Sequence, residues 1–264
     1  MDFVGQEALF KTINGWTPQT APKTILLLGE EGCGKKTVVK YIANRLGLEF
    51  IDVCGGLTPE RLIDWQQSPI RRLYQIDLTK LALDKDQNQF LKFIEEPSPA
   101  AYIALIAESE AGILPTVLNR CVKLRFAPYS VENLKKVKAF SNEALYSICR
   151  TPGKLKNASE KGLGEMQALC DAIVTKFDKA PYPNALSIVP RINYKDNYSK
   201  FDFCGFLDML EDTAKKSYIE SGSELAYKIY MHVAKRRDEL GQNGRIAKEA
   251  FMTSLMDGLW RETR

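Results

Sequence analysis

The sequence predicts an α/β protein, with a parallel sheet covered on both faces and a helical remainder. Three observations carry that expectation. Within the first 128 residues, five short apolar runs alternate with helical patterns, as buried parallel strands do. A glycine-rich loop separates the first of these runs from a helix. After Pro128 the strand signals largely disappear.

The first run, Thr24–Leu28, has strand length and leads into Gly29-Glu30-Glu31-Gly32-Cys33-Gly34-Lys35-Lys36-Thr37. Val38, Val39, Ile42, Ala43 and Leu46 follow at helical spacing, and Gly47 stands where a helix C-cap belongs. Further strands are expected at Phe50–Val53, Leu73–Asp77, Tyr102–Ala107 and Val122–Phe126. Gln87, Phe90, Leu91 and Ile94 form a helical stripe that Pro97 stops. Ser130 and Ser141 are the expected N-caps of two short helices ending near Thr151-Pro152-Gly153. A softer stretch with Gly162 and Gly164 precedes a helix over 165–178. Residues 180–200, rich in Pro, Asn and Tyr, read as a long irregular connection. From Phe201 onward the apolar spacing is helical again, through Phe206, Leu210, Ile229, Val233, Ile246, Phe251, Leu255 and Leu259. The chain thus divides into 1–128, 129–162 and 163–264.

Composition narrows the class. With 264 residues, 45% hydrophobic and 27% charged, the chain can bury a sizeable core. No apolar stretch approaches the ~18 residues of a membrane span, and Met-Asp-Phe-Val-Gly-Gln-Glu lacks the regions of a signal peptide. The six cysteines are scattered without a Cys-x-x-Cys pair, which fits reduced thiols in a cytoplasmic protein and argues against metal ligation. A net charge of +4 permits a nucleic-acid partner without arguing for one. The single histidine, His232, reads as a packing or surface residue.

The glycine loop carries the chemistry. Gly29, Gly34 and Lys35 complete Gly-x-x-x-x-Gly-Lys, with Gly32 between them. Glycines let backbone N–H groups turn inward around an anion, and the following helix points its positive end at phosphate. The lysine of such a loop pairs with phosphate oxygens, and the next residue is normally the Ser or Thr that holds Mg²⁺. Here that residue is Lys36, with Thr37 one position late.

Further motifs stand in order along the chain: Val-Gly-Gln-Glu (4–7), Leu-Tyr-Gln-Ile-Asp (73–77) and Gln-Asn-Gln-Phe-Leu-Lys-Phe-Ile-Glu-Glu-Pro (87–97). Ile-Leu-Pro-Thr-Val-Leu-Asn-Arg-Cys (113–121), Phe-Ala-Pro (126–128) and Arg-Thr-Pro-Gly-Lys (150–154) follow. Together they resemble the clamp-loader branch of the AAA+ ATPases. The resemblance covers about residues 3–160. It implies a AAA+ P-loop module with a parallel sheet, a small helical lid and a C-terminal all-helical collar. It also implies a hetero-oligomeric ring with other clamp-loader subunits, acting on a sliding clamp and primed DNA. The family's zinc-binding insertion has no counterpart, since the short stretch between Thr37 and Asp77 holds one cysteine, Cys54.

Several family positions depart from the pattern. Asp77 remains as the metal-side carboxylate, but the water-activating Glu after it is Leu78. Leucine cannot accept a proton, so general-base help of ~10²–10⁴-fold is lost. Ile106 and Ala107 stand where a polar γ-phosphate sensor is expected, with Glu108 adjacent, and Gly153 replaces the lid arginine. Arg120 survives, and in the family the matching arginine reaches a neighbour's γ-phosphate. The resemblance is therefore to delta-prime-like subunits of the bacterial DNA polymerase III clamp loader, which have lost their own hydrolysis.

The expectation is a chain without ATPase activity, requiring no cofactor or metal. Gly29, Gly32, Gly34, Lys35, Thr37 and Asp77 would form a degenerate site for at most weak, Mg²⁺-free ATP or ADP. Arg120 would act in trans. Two alternatives stay open: a working ATPase using Thr37 and Glu108, and a AAA+ relic binding another replication or phage partner. Lys135-Lys136-Val137-Lys138 and Lys235-Arg236-Arg237 could face DNA, but solvated helix faces are the plainer reading. Trp16, Trp65 and Trp260 are expected to pack.

Overall fold

The computed structural model describes residues 4–53, 59–78, 91–141, 145–146, 148–158, 160–192, 203–242 and 247–264. Gln87 and Phe90 of the central helical stripe, Cys54, residues 193–201 and Ile246 lie outside the described residues. The chain forms two compact units. The first is Met1–Val137 with Thr151–Gly153, and the second is Lys138–Arg150 with Lys154–Arg264.

The first unit starts with α1 (Glu7–Asn14), β1 (Thr24–Leu28), α2 (Lys35–Leu46) and β2 (Glu49–Asp52). It continues with α3 (Pro59–Gln67), β3 (Arg72–Asp77), α4 (Leu91–Glu95) and β4 (Ala101–Ala107). Then come α5 (Pro115–Leu118), β5 (Val122–Arg125) and α6 (Val131–Val137). All strand pairings are parallel, in the order β2-β3-β4-β1-β5. All five expected strands form, each within one residue of its expected bounds. Gly47 caps α2 in the left-handed conformation, at φ 63°.

The burial pattern explains why the strands were legible. Every residue of β1 and β4 is buried. Leu26, Leu28, Ile103 and Leu105 pack on one side of the sheet with Tyr74, Ile76, Phe93 and Val117. Ile25, Leu27, Ala104 and Ile106 pack on the other with Val38, Val39, Ile42 and Leu46 of α2. A strand covered on both faces has no polar alternation, so it reads as an unbroken apolar run. The edge strands β2 and β5 are mostly exposed or half-buried, as an uncovered edge allows. Trp65 packs as expected, stacked on Tyr74 at 4.5 Å between ring centroids.

The N-terminal segment is pinned to the end of the sheet by Gln6. Its side-chain amide donates to the Ala127 carbonyl (2.8 Å) and accepts from the Ala127 N–H (2.9 Å). Gln6 is only 3% exposed, so both ends of a buried amide are satisfied by one backbone residue.

The described part of the second unit is helical, with α7 (Pro152–Asn157) beginning at the last residues of the first unit. Thr151-Pro152-Gly153 therefore opens a helix, where the sequence suggested the end of one. Proline at the first helical position loses no intrahelical hydrogen bond, which explains the difference. Residues 141–146 hold no described α-helix after Ser141, whereas Ser130 does lead into α6, with its Oγ accepting the Asn133 N–H at 3.3 Å.

The long helices are α8 (Glu160–Lys176), α10 (Phe203–Ser221), α11 (Glu224–Gln242) and α12 (Lys248–Glu262). Gly162 and Gly164 sit inside α8, because the buried stripe Leu163, Met166, Cys170, Ile173 and Val174 outweighs their low propensity. The expected irregular connection contains α9 (Tyr182–Leu186) and a 3₁₀ turn at Val189–Arg191, which bury Ala185, Ile188 and Val189.

His232 is buried against Gly258, with Nδ1 2.8 Å from Glu262. In the basic cluster of α11, Arg237 is held by Asp208 and Glu211, both at 2.7 Å. Trp260 donates to the Ala180 carbonyl at 3.1 Å and packs edge-on against Tyr182.

Candidate functional site

The glycine loop runs from the C-terminal end of β1 to the start of α2, in the middle of the sheet. At that end the Gly29 N–H donates to Ala107 of β4 (3.3 Å), and the Phe126 N–H donates to Leu28 (2.8 Å). Open parallel sheets place ligands at the carboxyl ends of their central strands, so the position suits an anion. The backbone suits it too. Gly32 and Gly34 take positive φ, 78° and 102°, just ahead of the α2 N-terminus, and the Cys33 N–H between them donates to the Glu30 carbonyl at 3.3 Å.

The loop's carbonyl face is fully committed. Lys35 donates its ammonium to the Gly29 carbonyl and, at 2.9 Å, to the Glu30 carbonyl. The Thr151 hydroxyl donates to the Glu31 carbonyl at 2.9 Å, and Thr151 is 2% exposed. The Gly153 N–H donates to the Gly32 carbonyl, also at 2.9 Å. Tyr129 donates its phenol to the Cys33 carbonyl at 2.7 Å. Five consecutive carbonyls, from 29 to 33, thus accept from groups of this chain. The segment 151–153 is pressed so closely that a Cβ on Gly153 would stand 2.6 Å from the Gly32 Cα and 2.9 Å from its oxygen.

Thr151 lies in the Arg-Thr-Pro-Gly-Lys motif, yet nothing in that motif foretells its bond, and Tyr129 carries no sequence signal at all. Both act on partners about a hundred residues away, which spacing does not encode.

Cys33 lies inside the loop. Burial pushes its thiol up, while the nearby Lys35 ammonium pulls the other way. It therefore stays protonated at neutral pH and is no nucleophile. Burial also pushes the Tyr129 phenol up, to about 12. An acid protonated more strongly in the folded state destabilises the fold once the unfolded chain starts to ionise. Stability is therefore expected to fall as pH rises from about 10 to about 12, and Tyr129→Phe should flatten that part of the profile. Denaturant midpoints measured between pH 8 and pH 12 on both proteins check this.

The positions that the resemblance assigns to metal and water are occupied as follows. Lys36 and Thr37 are both exposed on α2, and a lysine would repel the cation that the missing hydroxyl binds. Asp77 closes β3, half-buried, and pairs in register with Ile106. Leu78 is 6% exposed and belongs to the apolar cluster with Leu28, Leu105 and Ile113. Ile106 and Ala107 are buried at the end of β4, and Glu108 is exposed just beyond it. Among the described residues, no group of His, Cys, Asp or Glu could hold a metal ion. Leu78→Glu is expected to lower stability by about 2–4 kcal/mol, since it places a carboxyl in an apolar cluster, without producing ATP turnover. Thermal melts and a phosphate-release assay on the variant test both parts.

Arg120 lies in the turn after α5. Its Nη1 donates to the Thr116 carbonyl at 2.7 Å, and its Nη2 lies 2.7 Å from Oε1 of Glu95 at the end of α4. Its side chain is 37% exposed. The sequence singled out Arg120 but not Glu95, although both lie in motif segments.

A five-stranded parallel sheet in the order β2-β3-β4-β1-β5, with a Gly-x-x-x-x-Gly-Lys loop after the interior strand β1, is the fold of a AAA+ P-loop module. Residues 66–130 match the family "DNA polymerase III, delta subunit", a match over less than half of the chain. The match spans β3, α4, β4, α5 and β5, and includes Glu95 and Arg120. A DNA polymerase III gamma subunit-related protein of Thermotoga maritima is similar in structure at 12% identity and a TM-score of 0.49, covering 98% of this chain and 100% of that one. The Holliday junction branch migration motor RuvB of the same organism is similar at 18% identity and 0.45, covering 83% of this chain and 77% of its own. A search of curated protein sequences finds no match. Among the described residues, no helix is long and apolar enough to cross a membrane.

Proposed function

We propose that this chain is a delta-prime-like subunit of a DNA polymerase III clamp loader. It does not hydrolyse ATP, and it offers Arg120 to the ATP site of a neighbouring subunit. In this reading 1–128 is the AAA+ module, 129–162 the lid and 163–264 the collar of a hetero-oligomeric ring that loads a sliding clamp onto primed DNA in the cytoplasm. The observation that carries it is the matched segment 66–130, which holds an exposed Arg120 together with a buried Leu78 in place of a general base.

Loss of hydrolysis rests on chemistry at linked positions. Lys36 repels a cation, and Leu78 can neither accept a proton nor reach solvent. No cofactor is required. The positive-φ glycines Gly32 and Gly34 ahead of the α2 N-terminus leave room for at most weak ATP or ADP binding without Mg²⁺. Against a working ATPase, Thr37 stands one residue past the position next to Lys35, and Glu108 is exposed beyond the end of β4.

The isolated chain is expected to show no Mg²⁺-dependent ATP turnover above background, with Lys35→Ala as the control. Turnover that the control abolishes would overturn the non-catalytic reading. Co-purification with clamp-loader ATPase subunits tests the assembly, and failure to associate would favour a AAA+ relic with another partner.

A further inference from the structure

We infer that Glu95 is a positioning residue for Arg120, holding its guanidinium at the surface for use by a neighbouring subunit. The inference rests on the reading of Arg120 as a residue acting in trans, and deepens it.

The guanidinium is fixed from two sides. Its Nη1 donates to the carbonyl of Thr116 in α5, and its Nη2 pairs with Glu95 at the end of α4. Both supports are anchored in one core. Phe93 and Ile94, just before Glu95, are buried in the same apolar cluster as Val117, and Leu118 and Cys121 pack against it. The Cys121 thiol adds a contact to the Val117 carbonyl at 3.1 Å. Carboxylate and carbonyl are therefore held at a set spacing by packed backbone, rather than by two mobile surface chains.

Helix stability does not explain Glu95. It closes α4, followed by Glu96 and Pro97, where a carboxylate opposes the negative end of the helix. An exposed ion pair also contributes little to folding, and here the arginine and glutamate side chains are 37% and 41% exposed. What the pair does supply is orientation. A guanidinium has five N–H donors in a rigid plane, and the two bonds described use one on each terminal nitrogen. With its rotamer already set, Arg120 loses less freedom when it meets an incoming anion such as a terminal phosphate.

The test uses the reconstituted complex with its ATPase subunits. Clamp- and DNA-stimulated ATP turnover is measured for the native chain, Glu95→Ala, Glu95→Gln, Arg120→Ala and the Glu95→Ala/Arg120→Ala pair. Glu95→Ala is expected to lower kcat about three- to ten-fold, the range given by freeing one long side chain, with assembly and the chain's own melting temperature unchanged. Glu95→Gln keeps an acceptor oxygen and should recover most of the rate. In the Arg120→Ala background, Glu95→Ala should add nothing. If Arg120→Ala lowers turnover while Glu95→Ala leaves it unchanged or raises it, the role of Glu95 is overturned and Arg120 stands. A loss from Glu95→Ala that persists without Arg120, or a failure of that variant to assemble, also overturns the positioning role. If Arg120→Ala leaves turnover unchanged, the trans reading itself fails and this inference falls with it.

Discussion

In an assembled complex, Arg120→Ala is expected to lower the ATP turnover of the neighbouring subunit by at least ~10-fold, and toward the ~10³-fold that such arginines supply to sites they complete. Charge builds on the transferring phosphoryl oxygens in the transition state, and a guanidinium held against them stabilises that state more than bound substrate. The effect should therefore fall on kcat more than on KM. Arg120 is suited to the task because it is more than a third exposed, fixed by Glu95 and Thr116, and placed in a turn rather than in the core. The isolated chain should fold normally, because the variant removes only an exposed pair and one hydrogen bond to a carbonyl. Steady-state turnover of native and variant complexes, with assembly checked by gel filtration, decides the matter. Normal assembly with unchanged turnover would reduce Arg120 to an ordinary surface arginine.

The second large effect is expected at Gly153. Both Gly153→Ala and Gly153→Arg should destabilise the protein, because the offending atom is the Cβ that both introduce. That atom would stand 2.6 Å from the Gly32 Cα, and backbone cannot swing aside as a side-chain tip can. Relief requires lifting residues 151–153 off the loop. That breaks both the Gly153 N–H bond to the Gly32 carbonyl and the Thr151 hydroxyl bond to the Glu31 carbonyl, each 2.9 Å long. Two such bonds and the steric term together cost about 2–4 kcal/mol, or a fall in Tm of about 5–10 °C. Gly153→Arg also restores the residue type that active members of the resembling family carry there. It should nonetheless fail to produce tight Mg²⁺-nucleotide binding, because Lys36 and Leu78 remain. Thermal melts and titration with a fluorescent ATP analogue test this. A Gly153→Arg protein as stable as the native one would show that the 151–153 contact does not dictate glycine here.

Much of the site was legible because its signals are local. Gly29, Gly34 and Lys35 sit within seven residues and are followed by a helix whose apolar spacing is plain, so loop and helix were read together. The same holds for Arg120, which its short Ile-Leu-Pro-Thr context marked out. Leu78 and Gly153 were legible only as departures from the family that the chain resembles. The resemblance implied a glutamate and an arginine at those positions, but not that one position had joined a core cluster and the other lay against Gly32. The boundary error at Thr151-Pro152-Gly153 has the same origin. Proline and glycine signal a break, and neighbours in space decide on which side of it the helix lies.

The sequence by itself determined the elements whose hydrogen bonds close within a few residues, namely α2 with its Gly47 cap and the long helices α10 to α12, and the strands β1 and β4, which are buried throughout. Their apolar periodicity follows directly from backbone geometry. Only the tertiary structure decided the pairings that fix the site: Gln6 with Ala127, Cys33 with Tyr129, Glu31 with Thr151, Gly32 with Gly153, and Glu95 with Arg120. Such contacts join residues distant in the chain through one or two hydrogen bonds or an ion pair. No residue type or spacing announces them, and they exist only because packing around the sheet brings separate segments together.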